Sequence, residues 1–297
     1  MLAQRPSSLW SAVAILCASL AFMGAFLHLR HDAFRTGWDQ ISLATHVTHN
    51  TDLILYSYFE TPEAMKNFKF FVRHALHDKA DFILMLNGDH TLDTGALSHL
   101  RNVHIYEREN RCFDLGGFHE ILSGDAALLE RYKRFMFINA SVRGPFFPPW
   151  ANDVCWSDAY WDKLEAQPGG TKLVGMSYNC ANDIPYAAHI QSMILAFDGE
   201  TLQNSILPKM KCYEDMQSAI RDGETLIATW VREDGGDVFA MENRFVSHAG
   251  SSGKNSTAFL DWCIDDDHDR ELGVTHGHDI HYSGWYEGTS LHPYETM

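Results

Sequence analysis

Between residues 52 and 139 apolar and polar positions fall into blocks whose period changes from block to block. DLILYSYF, residues 52–59, is almost continuously apolar and reads as a buried strand ending near Tyr58. TPEAMKNFKFFVRHALHD follows at helical period, with Met65, Phe68, Val72 and Leu76 on one face, Thr61 as N-cap and Pro62 at the first helical position. DFILMLNGD is a second strand ending in the turn signal Asn87-Gly88, and NVHIYERE a third. LGGFHEILSGDAALLERY predicts one helix, and FMFIN, residues 135–139, a further strand. Strands alternating with helices predict βαβ units and a mostly parallel sheet covered on both faces.

The later pattern is less regular. TKLVGMSYNC reads as a strand entered from the turn Pro168-Gly169-Gly170, HIQSMILAF as another, and GETLIATWVRED as a helix. From about Asp261 the chain turns rich in Asp, His, Gly and Tyr and predicts an irregular tail. At 297 residues and 45% apolar, the chain is long enough for one large domain with attachments. Its formal net charge of −16, without any run of Lys or Arg, excludes phosphate-backbone binding to nucleic acid.

The amino-terminal stretch LWSAVAILCASLAFMGAFLHL, residues 9–29, holds no Asp, Glu, Lys or Arg. As a helix it would span about 30 Å, one hydrocarbon core, which predicts a transmembrane signal-anchor. Residues 1–8 then form a short cytoplasmic tail, 30–50 a stem, and 51–297 the main domain. Arg5 on one side and Arg30 and Arg35 on the other do not decide the orientation by charge. The sequons at Asn139 and Asn255 and the five cysteines beyond Cys17 favour a lumenal main domain, in the Golgi or endoplasmic reticulum. Asn255, in the polar loop SSGKNST, is the better glycan acceptor, since Phe137 and Ile138 beside Asn139 resist exposure. One or two disulfides are expected, and the absence of any C-x-x-C pair argues against a zinc knuckle.

Ligands of open parallel sheets bind beyond the carboxyl ends of the strands, and two polar groups fall there. ERENRCFDLGGF brings Arg108, Asn110 and Asp114 ahead of Gly116-Gly117 at a helix start, where free amides favour an anionic group. Asp114 could equally cap that helix. FINASVRGPF ends a core strand in Asn139, Ser141 and Arg143. Arg143 suits bidentate contact with a phosphate, or a structural salt bridge. Two further carboxylates, Glu224 and Asp215, are candidate general bases; each could instead complement a helix dipole. The tail DWCIDDDHDRELGVTHGHDIH could hold Mn²⁺ or Zn²⁺, or be a solvated acidic loop. No Gly-x-Ser-x-Gly, Walker or His-Glu-x-x-His motif is present.

REN followed by FDLGGF, then FINASVRGPFFPPW, resembles the GT-A-type glycosyltransferases related to rhamnan-synthesis F proteins. KLVGMSYNC, HIQSMILAFD and the terminal HPYETM are similar to related eukaryotic glycosyltransferase-like sequences, so the resemblance covers about residues 52–240 and the last few. It implies a GT-A-like, Rossmann-like α/β domain that moves a sugar from a nucleotide-diphosphate donor to a glycan, protein or lipid hydroxyl. Ser57 and Tyr58 would take base and ribose, with Arg108, Asn110, Asp114, Gly116 and Gly117 closing around them. Asn139 and Ser141 stand where many such enzymes carry Asp-x-Asp, so Mn²⁺ or Mg²⁺, if used, is held differently; neutral oxygens are poor ligands for a hard dication. By the same resemblance His292 is a candidate metal ligand and Glu224 matches a family glutamate. The rival readings are a non-catalytic protein of this fold that binds a carbohydrate or a partner, and a metal-dependent hydrolase built on the Asp/His tail.

Overall fold

The computed structural model describes residues 50–144, 154–179 and 189–241. The expected transmembrane segment 9–29, the sequon at Asn255, the Asp/His tail and His292 lie outside them. Among the described residues no helix is long and apolar enough to cross a membrane.

The chain order is β1 (Asp52–Phe59), α1 (Pro62–His74), β2 (Asp81–Asn87), β3 (Val103–Arg108), α2 (Phe113–Gly124), α3 (Ala126–Arg131), β4 (Arg134–Asn139), α4 (Trp156–Trp161) and β5 (Thr171–Gly175). A short ribbon, β6 (Tyr178–Asn179) with β7 (His189–Ile190), precedes β8 (Ile194–Asp198). Gly199–Thr201 (α5) continues through irregular turns to Lys209, followed by α6 (Met216–Asp222), a 3₁₀ turn at Glu224–Leu226, α7 (Ile227–Glu233) and β9 (Asp237–Ala240). The main sheet has seven strands in the order β3-β2-β1-β4-β8-β5-β9. It is a mixed α/β sheet, parallel except for β8, which runs antiparallel to both its neighbours.

The first four strands come where the apolar blocks predict them; β1, β2 and β4 are buried on both faces, while β3, at the sheet edge, buries only Val103 and Tyr106. Successive side chains point to opposite faces. Ile54, Tyr56, Tyr58, Phe82, Leu84, Leu86 and Met136 share one core with Phe68 and Phe71 of α1 and Trp156 and Tyr160 of α4. Across the sheet, Phe118 of α2 stacks on Phe137 at 4.4 Å, and Phe137 meets Phe197 of β8 edge-on at 4.8 Å. Each such fully buried ring contributes about 1.5–3 kcal/mol. Thr61 caps α1 as expected, accepting the Ala64 N–H at 3.0 Å.

Three predicted elements divide. The helix expected over 115–132 is two, because Asp125 leaves the helical conformation (ψ 91°) and caps α3 through the Ala127 N–H. HIQSMILAF is not one strand: it turns between Ile190 and Ile194 and separates β7 from β8. TKLVGMSYNC likewise holds both β5 and β6. The helices α4 and α6 and the strand β9 are additions that the apolar pattern does not mark.

Candidate functional site

The alternation of side chains brings the polar strand ends together. Ser57 continues the α2-facing row of β1 after Leu53 and Leu55, Asn87 that of β2 after Ile83 and Met85, and Asn139 that of β4 after Phe135 and Phe137. In register, Ser57 lies opposite Asn139, and Asn87 opposite Arg108. The four positions therefore occupy the carboxyl edge of adjacent parallel strands, on one face.

Hydrogen bonds join them to Asp114 in the first turn of α2. Ser57 Oγ donates to Asp114 Oδ1 at 2.6 Å, and the Asn139 amide also bonds this carboxylate. Asn87 Nδ2 donates to Ser57 Oγ at 3.1 Å and to the Tyr58 carbonyl at 3.0 Å, while its Oδ1 accepts from Arg108 Nη1 at 2.7 Å. Arg108 reaches the Arg111 carbonyl at 2.9 Å and, through Nη2, Glu120 Oε2 at 2.9 Å. Its side chain is 4% exposed, and its Nε–H is buried with no acceptor among the described residues. Asp114 does not cap its helix, since no side chain caps α2. Burial holds its carboxyl above the usual range, against the Ser57 and Asn139 hydrogen bonds and the Arg108 charge that favour ionisation.

A second carboxyl comes from far along the chain. Glu224 opens the 3₁₀ turn after α6 and accepts from Ser192 Oγ at 2.9 Å. Ser192 belongs to the turn that leads into β8, and because β8 is antiparallel that turn lies at the carboxyl edge of β4, where the Asn139 N–H donates to the Met193 carbonyl at 3.3 Å. Burial raises the Glu224 carboxyl to about 7; the Ser192 bond opposes the shift and the Asp114 charge reinforces it. Such a group exchanges a proton near neutrality, which is what a general base requires.

Sequence reasoning named Ser57, Arg108, Asp114, Asn139 and Glu224, and these five gather at one edge. The other candidates are engaged elsewhere. Tyr58 points to the α1 face, packing on Phe68 at 5.0 Å with its hydroxyl towards Glu60. Asn110 packs at the Gly88 turn, whose φ of +75° suits glycine, and a β-carbon on Gly88 would stand 3.2 Å from Asn110 Cβ. Gly116 admits the segment Lys211–Cys212 and Gly117 the side chains of Met85 and Arg108, so protein atoms occupy the space above both glycines. Ser141 offers its N–H to Asn139 Oδ1 at 3.1 Å. Arg143 Nε lies 3.4 Å from Asn67 Oδ1 of α1. Asp215 caps α6 in a capping box with Ser218. Asn87 and Ser192 carry no motif of their own in the sequence; Asn87 reads as a turn residue, and its place in the strand period is the signal that marks it.

For a divalent cation the described donor set does not fit. Both ends of the Asn139 amide are committed, one to Asp114 and one to the Ser141 N–H. Among the described residues no group of three His, Cys, Asp or Glu could hold a metal ion.

Cys112, just before α2, is joined by a disulfide to Cys212, and Cys155 is a free thiol.

No family model matches the chain, nor does any curated protein. Among solved structures it is similar to a mannosyltransferase from Pyrobaculum calidifontis in complex with GDP-Man and Mn²⁺, at 13% identity over 97% of this chain and 94% of that one, TM-score 0.39. It is similar to the glucosyl-3-phosphoglycerate synthase of Mycobacterium tuberculosis at 11% identity over 76% and 81%, TM-score 0.37. A third, the 4-diphosphocytidyl-2C-methyl-D-erythritol synthase of Anaerococcus prevotii, is 10% identical over 69% and 96%, TM-score 0.38. All three likenesses are remote.

Proposed function

We propose that this chain is a GT-A-like glycosyltransferase that moves a sugar from a nucleotide-diphosphate donor to a hydroxyl of a glycan, protein or lipid. The observation that carries the reading is the strand-edge cluster in which Ser57, Asn87, Arg108, Asp114 and Asn139 converge beside Glu224. It lies outside the carboxyl ends of parallel strands, where open α/β sheets take nucleotides. The resemblance of RENRCFDLGGF and FINASVRGPF to GT-A enzymes points the same way.

In this reading Asp114, held by Ser57 and Asn139, orients the hydroxyls of the donor, and Arg108 fixes the rim of the site through Asn87. Glu224 takes the proton of the attacking hydroxyl as the new glycosidic bond forms and the bond to the nucleoside diphosphate breaks. Arg143, turning from its bond to Asn67, supplies positive charge for the departing diphosphate. A divalent cation would serve the same end; its ligands would have to come from outside the described residues, such as His292 or the Asp/His tail.

The segment 9–29 would tether the protein as a type II membrane protein of the Golgi or endoplasmic reticulum. The Cys112–Cys212 disulfide supports an oxidising compartment.

Calorimetric titration of the full chain with UDP and GDP, with and without Mn²⁺, tests the reading. One nucleotide is expected to bind, and Asp114→Asn to weaken it by about tenfold or more, roughly 1.4 kcal/mol. Glu224→Gln is expected to retain binding and lose about 10²–10⁴-fold in turnover of the donor. Failure of the folded chain to bind either nucleotide would overturn the proposal.

A further inference from the structure

The two carboxyls of the cluster lie 110 residues apart in sequence, Asp114 and Glu224, and an unbroken chain of covalent and packed contacts runs between them. Cys112 and Phe113, the two residues before Asp114, both adopt left-handed backbone, at φ +65° and +56°. For side chains other than glycine this conformation is unfavourable and persists only where surrounding structure enforces it. The enforcement is visible. The disulfide ties Cys112 to Cys212, Cys112 pairs with Tyr213 in an isolated antiparallel bridge, and the absent side chain of Gly116 lets Lys211 and Cys212 close on the first turn of α2. A β-carbon on Gly116 would stand 2.6 Å from Cys112 Cβ and 3.1 Å from the Lys211 carbonyl oxygen.

The contacts continue on the other side of the disulfide. Tyr213 is 2% exposed, and its ring lies on Gly223, where a β-carbon would meet the Ala219 carbonyl oxygen at 2.6 Å and the ring's Cζ and hydroxyl at 2.7 Å. The Tyr213 hydroxyl donates to the Asp222 carbonyl at 3.5 Å. Glu224 is the next residue after Gly223.

We infer that Cys112, Cys212 and Tyr213 are positioning residues: the disulfide and the ring stacked on Gly223 form a strut that holds Asp114 and Glu224 at a fixed separation for the reaction proposed above. Without the strut the left-handed corner relaxes and swings the Asp114 carboxylate off Ser57 and Asn139. Glu224 then loses its enclosure. The groups that face it are Ser192 through a hydrogen bond, Asp114 by charge and the Tyr213 hydroxyl; release of the strut moves two of the three. The inference rests on the transferase reading for its purpose, but its geometry can be tested without any nucleotide.

The test follows the ionisation of Glu224 in the full chain in mild detergent, through the infrared band of its protonated carboxyl, assigned by its loss in Glu224→Gln. The band is compared in the native protein, in protein reduced with a phosphine and alkylated, and in Tyr213→Leu, which leaves the disulfide intact but removes the ring from Gly223. Native protein is expected to titrate at about 7. The reduced protein and Tyr213→Leu are expected to titrate lower, by about one pH unit or more, as water reaches the carboxyl. An unchanged midpoint in both overturns the inference. If reduction unfolds the chain, Tyr213→Leu alone decides, in the same sense. An unshifted titration would leave nucleotide binding untouched, and absent nucleotide binding would leave the titration untouched, so the two failures are distinguishable.

Discussion

Carboxylates are buried at the amino ends of the parallel strands and half-buried at the carboxyl edge, and the partners they receive differ in kind. At the amino ends, Asp52 is gripped by Arg134, whose Nε and Nη2 each lie 2.7 Å from one of its oxygens, and that guanidinium also covers the Trp161 ring at 4.8 Å. Asp81, fully buried, accepts from the Tyr132 hydroxyl at 2.5 Å, Asn50 at 2.8 Å and the Arg131 guanidinium at 3.2 Å. At the carboxyl ends Asp114 receives a hydroxyl and an amide, and Glu224 one hydroxyl. The nearby Arg108 gives its ion pair to Glu120. A carboxylate matched by a full opposite charge is committed to the fold. One that is half-buried and under-neutralised keeps its proton to a higher pH and can pass it to something else.

Three variants bear on this contrast. Asp81→Ala removes the buried acceptor that the Tyr132 hydroxyl, Asn50 and Arg131 share, and is expected to cost about 3–5 kcal/mol of stability. Urea unfolding measures it, and nucleotide affinity of the remaining folded protein should not change. A loss below about 1 kcal/mol would mean that the amino-end pairing is not what holds that edge.

Glu224→Gln should act in the opposite direction. Its carboxyl is raised from 4.5 to about 7 in the fold, so as pH rises through that window the unfolded chain releases a proton that the folded chain retains. Stability is therefore lost between about pH 4.5 and 7. The Gln variant should be more stable than the native protein above that window, by on the order of 3 kcal/mol at most, and equal to it below. Thermal unfolding as a function of pH checks the sign. A variant less stable at every pH would place Glu224 with the committed carboxylates.

Smallest is Asp215→Ala. Asp215 accepts the Ser218 N–H at 2.9 Å as the N-cap of α6, so its loss should cost about 1 kcal/mol and leave the Glu224 titration where it was. A shift in that titration would mean that the cap also steers the acidic edge.

Much of the carboxyl-edge cluster can be read from the chain alone. Four apolar blocks predict four buried strands, and a strand's period of two places Ser57 and Asn139 on the same face once the sheet is parallel. Asn87 follows by the same count, but its turn signal hides it. Tyr58 was misleading for the same reason that Ser57 was informative: neighbours in a strand face opposite ways. Asp114 was ambiguous, because a carboxylate in the first turn of a helix suits a cap as well as a ligand. Only the Ser57 and Asn139 contacts separate those two uses.

What the sequence determined by itself was therefore local: where strands begin and end, which side chains share a face, and that polar groups finish the β1 and β4 rows. These follow from backbone geometry repeated every two residues, and they need no knowledge of what packs where. The tertiary structure alone decided that β8 reverses between β4 and β5, that Cys112 pairs with Cys212, and that Ser192 carries Glu224 to the edge where Asp114 lies. Those contacts join residues far apart in the chain, so their partners are chosen by packing of the whole domain and leave no periodic trace in the segments that make them.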